Sequence, residues 1–530
     1  MGRRAFSSTC LLEGPMPSSA RSSSVSSASV QLSGLRAAAH RRQRPGITLA
    51  VMLCAQLMIV LDLSVVNIAL PNIAHGLHFA PASLSWVLNA YALTFGGLLL
   101  LGGRAGDILG RRRVFLAGLA IFTAASLAGG LSTTAGLLLA ARALQGVGGA
   151  IATPAVLAII ISGYPDGRER TRALSLFTAV IMGGSSLGLV LGGVITEWFS
   201  WRWVLFINVP IGIAVLLIGP MFIPESARQP GRLDLAGALT STAGMSALVY
   251  GFIRASTGGW GDSVTLAAFG AAVVLLASFV LIEARSPQPI TPLRLFTDRS
   301  RAASYVVRLL LVAGMFGMFF FLTQFVQEVL GLSPLLAGVS FLPMTAALFA
   351  VSRLAPVLLP RFGAKPLMVA GLIPVVLGMA WLSQLSPSST YLSGVLGPML
   401  LFGAGMGVVF VPLTMTSLAG VAPEDSGSAA SMVNVMQQVG GALGLAILVT
   451  VFGTASRAAA RHPLLHAGPV AQAHDILTRG MATSFRVAAA FDLCALLIVA
   501  LIIKIRQPAP AAAQPVEPAQ EIMADLGEPV

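Results

Sequence analysis

The chain has 530 residues, 56% of them hydrophobic and only 10% charged. A water-soluble domain carries about 25% charged residues, and a single soluble core stops growing at roughly half this length, so lipid is the solvent that fits. The net charge of +13 does not signal nucleic acid, because Arg and Lys fall in short segments between apolar runs, as in loops on the inner side of a membrane.

Residues 1–46 are rich in Ser, Ala and Arg, with Glu13 their only acid. The composition is that of a transit peptide, but the reading adopted is a disordered cytoplasmic tail. Apolar runs of helical spanning length then follow at about 47–70, 84–103, 114–131, 135–161, 173–195, 202–222, 233–254, 264–283, 302–328, 335–358, 367–386, 391–418, 428–455 and 483–505. The alternation of a lipid-facing barrel is absent, so the expectation is an all-α membrane protein with fourteen transmembrane helices. From Gln507 the chain is rich in Pro and Ala with several acids, and 506–530 reads as a second disordered cytoplasmic tail. With both termini inside, about 22 Lys/Arg fall on the cytoplasmic side and about 6 outside. Arg457, Arg461 and Arg479 go against the rule, in what reads as an outer loop before the last span.

Two basic glycine turns, Asp107–Arg112 and Pro360–Lys365, follow the second and tenth runs. This weak repeat divides the chain into six-helix bundles at 47–222 and 302–505, with an inserted helix pair at 233–283. Repeated bundles with a substrate site between them are a transporter architecture.

Asp62 lies deep in the first run. Intramembrane carboxylates are costly and usually face a bundle interior or a wet cavity; Asp62 is read either as a protonation or cation site or as a structural acid. Arg142, in the fourth run with Gln145 one turn on, needs a partner, which a facing carboxylate such as Asp62 could supply; the alternative is a packing clamp. Asp107 sits among four arginines (Arg104, Arg111, Arg112 and Arg113), which points to a salt-bridge network that gates one end of the molecule. Gly184, Gly188 and Gly192 recur every fourth residue and, with Gly193, make a smooth face for close helix contact. Asn434 and Gln438 share one face of the thirteenth run; with Asn67 they are candidate cavity-lining residues, interhelical contact being the alternative. Asp492 is a second titrating site or a local polar contact. Glu197 and Glu328 near outer span ends are expected to reach headgroups or water, and His75 and His78 to be solvated in the first outer loop. The three cysteines are too scattered for a metal site or a disulfide framework. No nucleotide-binding loop is present, so energy would come from an ion gradient, with no cofactor.

These segments resemble a known family. Gly103, Asp107, Gly110, Arg111 and Arg112 match the major facilitator pattern G-x-x-x-D-x-x-G-R-R. Asp62…Asn67-Ile-Ala-Leu-Pro71, Arg142…Gln145-Gly146, Trp201–Pro210 and Ser431–Gly441 are similar to motifs of the fourteen-span drug:proton antiporters, the EmrB/QacA group. The likeness covers about residues 47–505. It implies the major facilitator fold and proton-coupled export of a hydrophobic drug, cationic or neutral, or of a specialised metabolite by alternating access; an importer or uncoupled carrier on the same fold is the runner-up. It implies Asp62 as the protonation or cation site, Arg142 as its partner, and Asp107 with Arg111 and Arg112 as a cytoplasmic gate meeting the thirteenth helix near Ser428. It also implies a cell-membrane location and action as a monomer; some members work with a periplasmic adaptor, which this sequence does not identify. In one departure, the fifth-span antiporter motif has proline after its glycine, and here Leu189 follows Gly188.

Overall fold

The apolar runs fold as helices, the form that satisfies its own backbone polar groups in lipid. The computed structural model describes residues 45–504 apart from 165–166, 226–227, 229–232, 287–288, 290, 423–424 and 463–467. The expected tails lie almost entirely outside the described residues. Among the described residues, fourteen helices are long and apolar enough to cross a membrane. They are α1 Gly46–Leu77, α2 Trp86–Leu109, α3 Arg111–Gly130, α4 Ala135–Gly163, α5 Arg168–Trp198, α6 Trp203–Phe222, α7 Leu235–Gly258, α8 Ser263–Arg285, α9 Arg299–Val329, α10 Pro334–Ser352, α11 Ala364–Leu382, α12 Tyr391–Leu418, α13 Gly427–Ala460 and α14 Pro469–Leu501.

The first bundle is built on α4, which packs against both α2 and α3, while α1 pairs with α5 and with α6. In the second bundle α9 packs on α13 and α14, and α12 on α10 and α11. The bundles meet along α2–α13 and α5–α10. Of the inserted pair, α7 lies against α2 and α13, while α8 packs on α7. Close approach in the first bundle depends on missing side chains: a Cβ on Gly148 would stand 2.5 Å from the Phe122 nitrogen and 2.7 Å from the Gly118 oxygen.

Two helices depart from the expected spans for local reasons. The run expected at 335–358 is three pieces, Pro334–Ser340, Leu342–Ser352 and Ala355–Phe362. Pro343 and Pro356 each sit at the start of a piece, where a missing N–H is harmless and the ring stops the preceding turn. The last helix begins at Pro469, not near 483. Of the arginines expected in an outer loop, Arg457 and Arg479 are therefore on helices, and Arg461 follows the last residue of α13. Arg479 pairs with Asp475 one turn earlier at 2.8 Å, and Arg457 donates to the Ser256 carbonyl near the end of α7. Helical partners for these charges explain how this end of the protein carries them.

Candidate functional site

Asp62, at the middle of α1, is 1% exposed, and three donors converge on it. Arg142 Nη1 reaches Oδ2 at 2.5 Å, while Gln145 Nε2 and Asn208 Nδ2 each reach Oδ1 at 2.9 Å. Arg142 also donates to Gln145 Oε1 at 2.9 Å and, through Nε, to the Val87 carbonyl at 3.0 Å. Its guanidinium carbon lies 4.6 Å from the centre of the Tyr91 ring, a cation–π contact. Ser126 closes the cluster: its Oγ accepts from Gln145 at 2.7 Å and donates to the Phe122 carbonyl at 2.8 Å.

Helical spacing makes this possible. Arg142 and Gln145 are three residues apart and so share one face of α4. Five helices contribute (α1, α2, α3, α4 and α6), so the cluster cross-links the first bundle. A buried ion pair is tolerated only with such additional hydrogen bonds. Asn208 and Ser126 carried no role in the sequence reading. Asn208 lay inside the Trp201–Pro210 motif, which was its only signal. Arg142 Nη2 and Asn208 Oδ1 have no hydrogen-bond partner among the described residues; the network holds unused donor and acceptor capacity beside the carboxylate.

A cavity of about 1100 Å³ lies between the bundles. Its α1 wall is Gln56, Ile59, Val60 and Leu63. Asp62 faces away from it, into the first bundle, so in this conformation neither Asp62 nor Arg142 touches a molecule in the cavity. Asn434 and Gln438 are on the wall. Asn67 is not: it is buried with Oδ1 unpartnered, five residues beyond Asp62 and so turned away from Asp62's face.

The cavity reaches Gly103, Arg104, Asp107 and Arg111 at the loop end. Asp107 accepts from Arg111 at 3.0 Å and 3.3 Å, and Arg111 also donates to the Ala158 carbonyl at 3.3 Å. Arg112 donates to the Ile223 carbonyl at 3.3 Å, and both Arg112 and Arg113 lie 3.6 Å from Glu225. Gly110 turns the chain at a φ of 104° with the Glu225 carboxylate against it, where a side chain would meet both strain and a clash. Ser428 lines the same cavity; the acid expected to meet it is engaged with Arg111.

At the opposite end the bundles are joined. Gln327 Nε2 donates to the Ile68 carbonyl at 2.9 Å, and the Leu335 N–H donates to Glu197 at 2.9 Å. His75 lies 3.1 Å from Glu328. His75 thus belongs to the last turn of α1 and not to a loop; its side chain is solvated, as expected, and also touches the second bundle. Glu197 and Glu328 spend their carboxylates on protein contacts, not on water alone. The small face of α5 serves two contacts. Gly184, Gly188 and Gly192 lie on Leu57, Ser64 and Val65 of α1, while Gly193 abuts the Pro334 carbonyl, where a Cβ would stand at 2.5 Å. Leu189 is 3% exposed, and its carbonyl lies against Gly338. The helix runs on through Leu189 without a break.

Residues 52–445 match the model of the Major Facilitator Superfamily. This chain belongs to that superfamily. Two solved structures share its fold: a POT family peptide transporter (TM-score 0.61, 15% identity, covering 88% of this chain and 99% of that one) and the nucleoside transporter NupG (TM-score 0.59, 14% identity, covering 86% and 100%). Among sequence relatives, the cephamycin export protein CmcT of Amycolatopsis lactamdurans is 43% identical over 77% of this chain and 85% of its own length. The puromycin resistance protein pur8 of Streptomyces alboniger is 41% identical over 86% and 90%. The tetracenomycin C resistance and export protein of Streptomyces glaucescens is 32% identical over 77% and 76%. The relatives mark this Major Facilitator protein as one of the fourteen-span drug-exporter group and as a transporter, not an enzyme. Its two six-helix bundles and inserted pair are the architecture expected from the resemblance, and it stands here open at the Asp107 end and joined at the other.

Proposed function

We propose that this protein is a proton-coupled antiporter that exports hydrophobic antibiotics or related metabolites by alternating access. The observation that carries the reading is the Asp62 cage. A carboxylate held by Arg142, Gln145 and Asn208, off the cavity wall, is arranged to exchange a proton and not to grip substrate. Protonation would remove its charge and weaken the hold of Arg142, and a change in that five-helix cross-link would be felt across the first bundle. The names of the relatives, cephamycin export, puromycin resistance and tetracenomycin C export, support a hydrophobic drug or specialised metabolite as cargo.

In this reading the protein is a monomer in the cell membrane with both termini cytoplasmic, driven by the proton gradient without a cofactor. The structure then corresponds to the cytoplasm-open conformation, ready to load cargo. Closure on that side would bring Asp107 from Arg111 toward the start of α13. Proteoliposomes with an imposed pH gradient test the coupling. The wild type should accumulate substrate against its gradient, and Asp62→Asn should only equilibrate it; uphill movement by Asp62→Asn would end the proposal.

A further inference from the structure

The inserted helix pair, to which the transport reading assigns no chemistry, covers a second cavity of about 270 Å³. Faces of α2, α7, α8 and α13 and the Leu293–Phe296 turn form its wall. The pocket is elongated along the helices. It runs from Gly237 to Met245 on α7 and from Met432 to Val439 on α13, about 10–12 Å at roughly 1.5 Å of rise per residue. One leaflet supplies about 15 Å of hydrocarbon, half of a core of about 30 Å. Leu100 and Leu293 belong both to this wall and to that of the central cavity, so a guest here lies across those two side chains from cargo.

The wall selects an apolar guest. Among the described residues only Ser241 and Thr291 bring polar side chains to it, and the Ser241 hydroxyl donates to the Ala238 carbonyl at 3.1 Å. Water would find few partners there, whereas apolar cavities of about 150 Å³ take up apolar molecules. A fitted guest gains dispersion contacts along the whole wall. Met245, Met432 and Met436 line it with thioethers, which adapt to a flexible chain. The pocket also reaches the bilayer: Val280 is both on its wall and exposed, beside the exposed Leu281 of α8. A drug-sized molecule needs roughly 300–1,000 Å³; this pocket is smaller and drawn out, which suits one hydrocarbon chain.

Charge at the Leu293–Phe296 end suits a phosphate. The Phe296 ring meets Tyr305 edge-on with centroids 5.7 Å apart. Arg301 lies one turn before Tyr305 on α9, with Arg299 at the start of the same helix. Arg301 Nε has no hydrogen-bond partner among the described residues. The carboxylates nearby are engaged: Asp298 caps α9 through the Arg301 N–H, and Asp425 holds Arg294. We propose that this pocket is a phospholipid site, which takes one acyl chain between the inserted pair and the bundles, with the phosphate at Arg299 and Arg301. The chain fastens the inserted pair to α2 and α13, independently of how export is driven.

Photolabelling of the purified full-length protein in lipid nanodiscs tests the site. The probe is phosphatidylglycerol with a diazirine midway along one acyl chain, its attachment points read by peptide mass spectrometry. In the wild type the label should concentrate on the wall segments 241–245, 293–296 and 432–439. Ser241→Phe and, from the opposite wall, Met436→Trp fill the pocket and should each remove most of that label. Leu266→Phe, on an exposed face of α8, should leave it unchanged. Arg299→Gln/Arg301→Gln should lower it severalfold, because the phosphate is no longer held. Label spread evenly over exposed helix faces, or pocket label that survives both filling substitutions, would overturn the proposal. Pocket label unaffected by loss of both arginines would also overturn it, and would assign the space to an uncharged apolar guest such as cargo.

Discussion

Asp62 and Arg142 meet at 2.5 Å inside the first bundle, yet neither side chain reaches the cavity where cargo would sit. Their pairing is a cross-link among helices before it is a binding site. Removing one member of a buried pair strands the other and costs about 3–5 kcal/mol. Arg142→Met should therefore lower the thermal midpoint of the detergent-solubilised protein sharply. Asp62→Asn/Arg142→Met should recover much of that loss, because no charge remains unpartnered. Strictly additive effects in this double-mutant cycle would show that the two side chains are not coupled.

The joined end makes a second prediction, on α5. Gly193 meets the Pro334 carbonyl so closely that a β-branched side chain cannot fit without moving α10. Overpacking of this kind costs about 1–3 kcal/mol, and it acts only on the conformer with this end closed. Gly193→Val should slow transport roughly tenfold or more, since about 1.4 kcal/mol is a factor of ten. Gly183, on the same helix with nothing within 4 Å of its Cβ position, is the control: Gly183→Ala should leave transport unchanged. Equal effects of both substitutions would show that α5 responds to helix propensity and not to the α10 contact.

Much of this was legible in the sequence. The spans were visible as apolar runs, and Asp62 and Arg142 stood out because isolated charges in such runs need partners. Asn208 and Ser126 were hidden because uncharged polar residues are common in spans, and their convergence depends on the relative rotation of α3, α4 and α6. The start of α14 was missed because His474, Asp475 and Arg479 lower its hydropathy, although the Asp475–Arg479 pair lies within one helical turn. Leu189 looked like a defect in the fifth-span pattern. The packing explains its tolerance: at that level the contact with Gly338 is made by the Leu189 backbone, and the α5 glycines supply the closeness.

A third prediction concerns pH at the start of α13. Arg294 holds the Asp425 carboxyl below the usual carboxylate range, chiefly through their hydrogen bonds. A depressed carboxyl pKa stabilises the paired state above its unfolded value, and that contribution is lost as pH falls through the lowered folded value. The tether between the Leu293–Phe296 turn and α13 should thus hold throughout the neutral range and release only in strong acid. Hydrogen exchange over the first turns of α13 should be slow in the wild type at neutral pH and fast in Asp425→Asn at every pH. Identical exchange in the two proteins at neutral pH would show that Arg294 does not restrain the helix.

The cavity wall supports a last prediction that separates cargo recognition from energy coupling. Gln438 lies on α13 with its Cβ against Gly96 of α2, where a Cβ would stand at 2.7 Å, so it sits on the wall where the two bundles meet. Asn434, one turn earlier, already donates to the Ala430 carbonyl of its own helix at 3.3 Å, which leaves its amide less to offer a ligand. Gln438→Ala should therefore raise the KM for a transported drug more than Asn434→Ala does. A lost neutral hydrogen bond of about 1 kcal/mol corresponds to roughly fivefold. Because neither residue touches Asp62 or Arg142, both variants should keep uphill transport under an imposed pH gradient once substrate is saturating. A Gln438→Ala protein that binds normally but equilibrates its substrate would place this residue in the coupling path and contradict the separation of the cavity from the Asp62 cage.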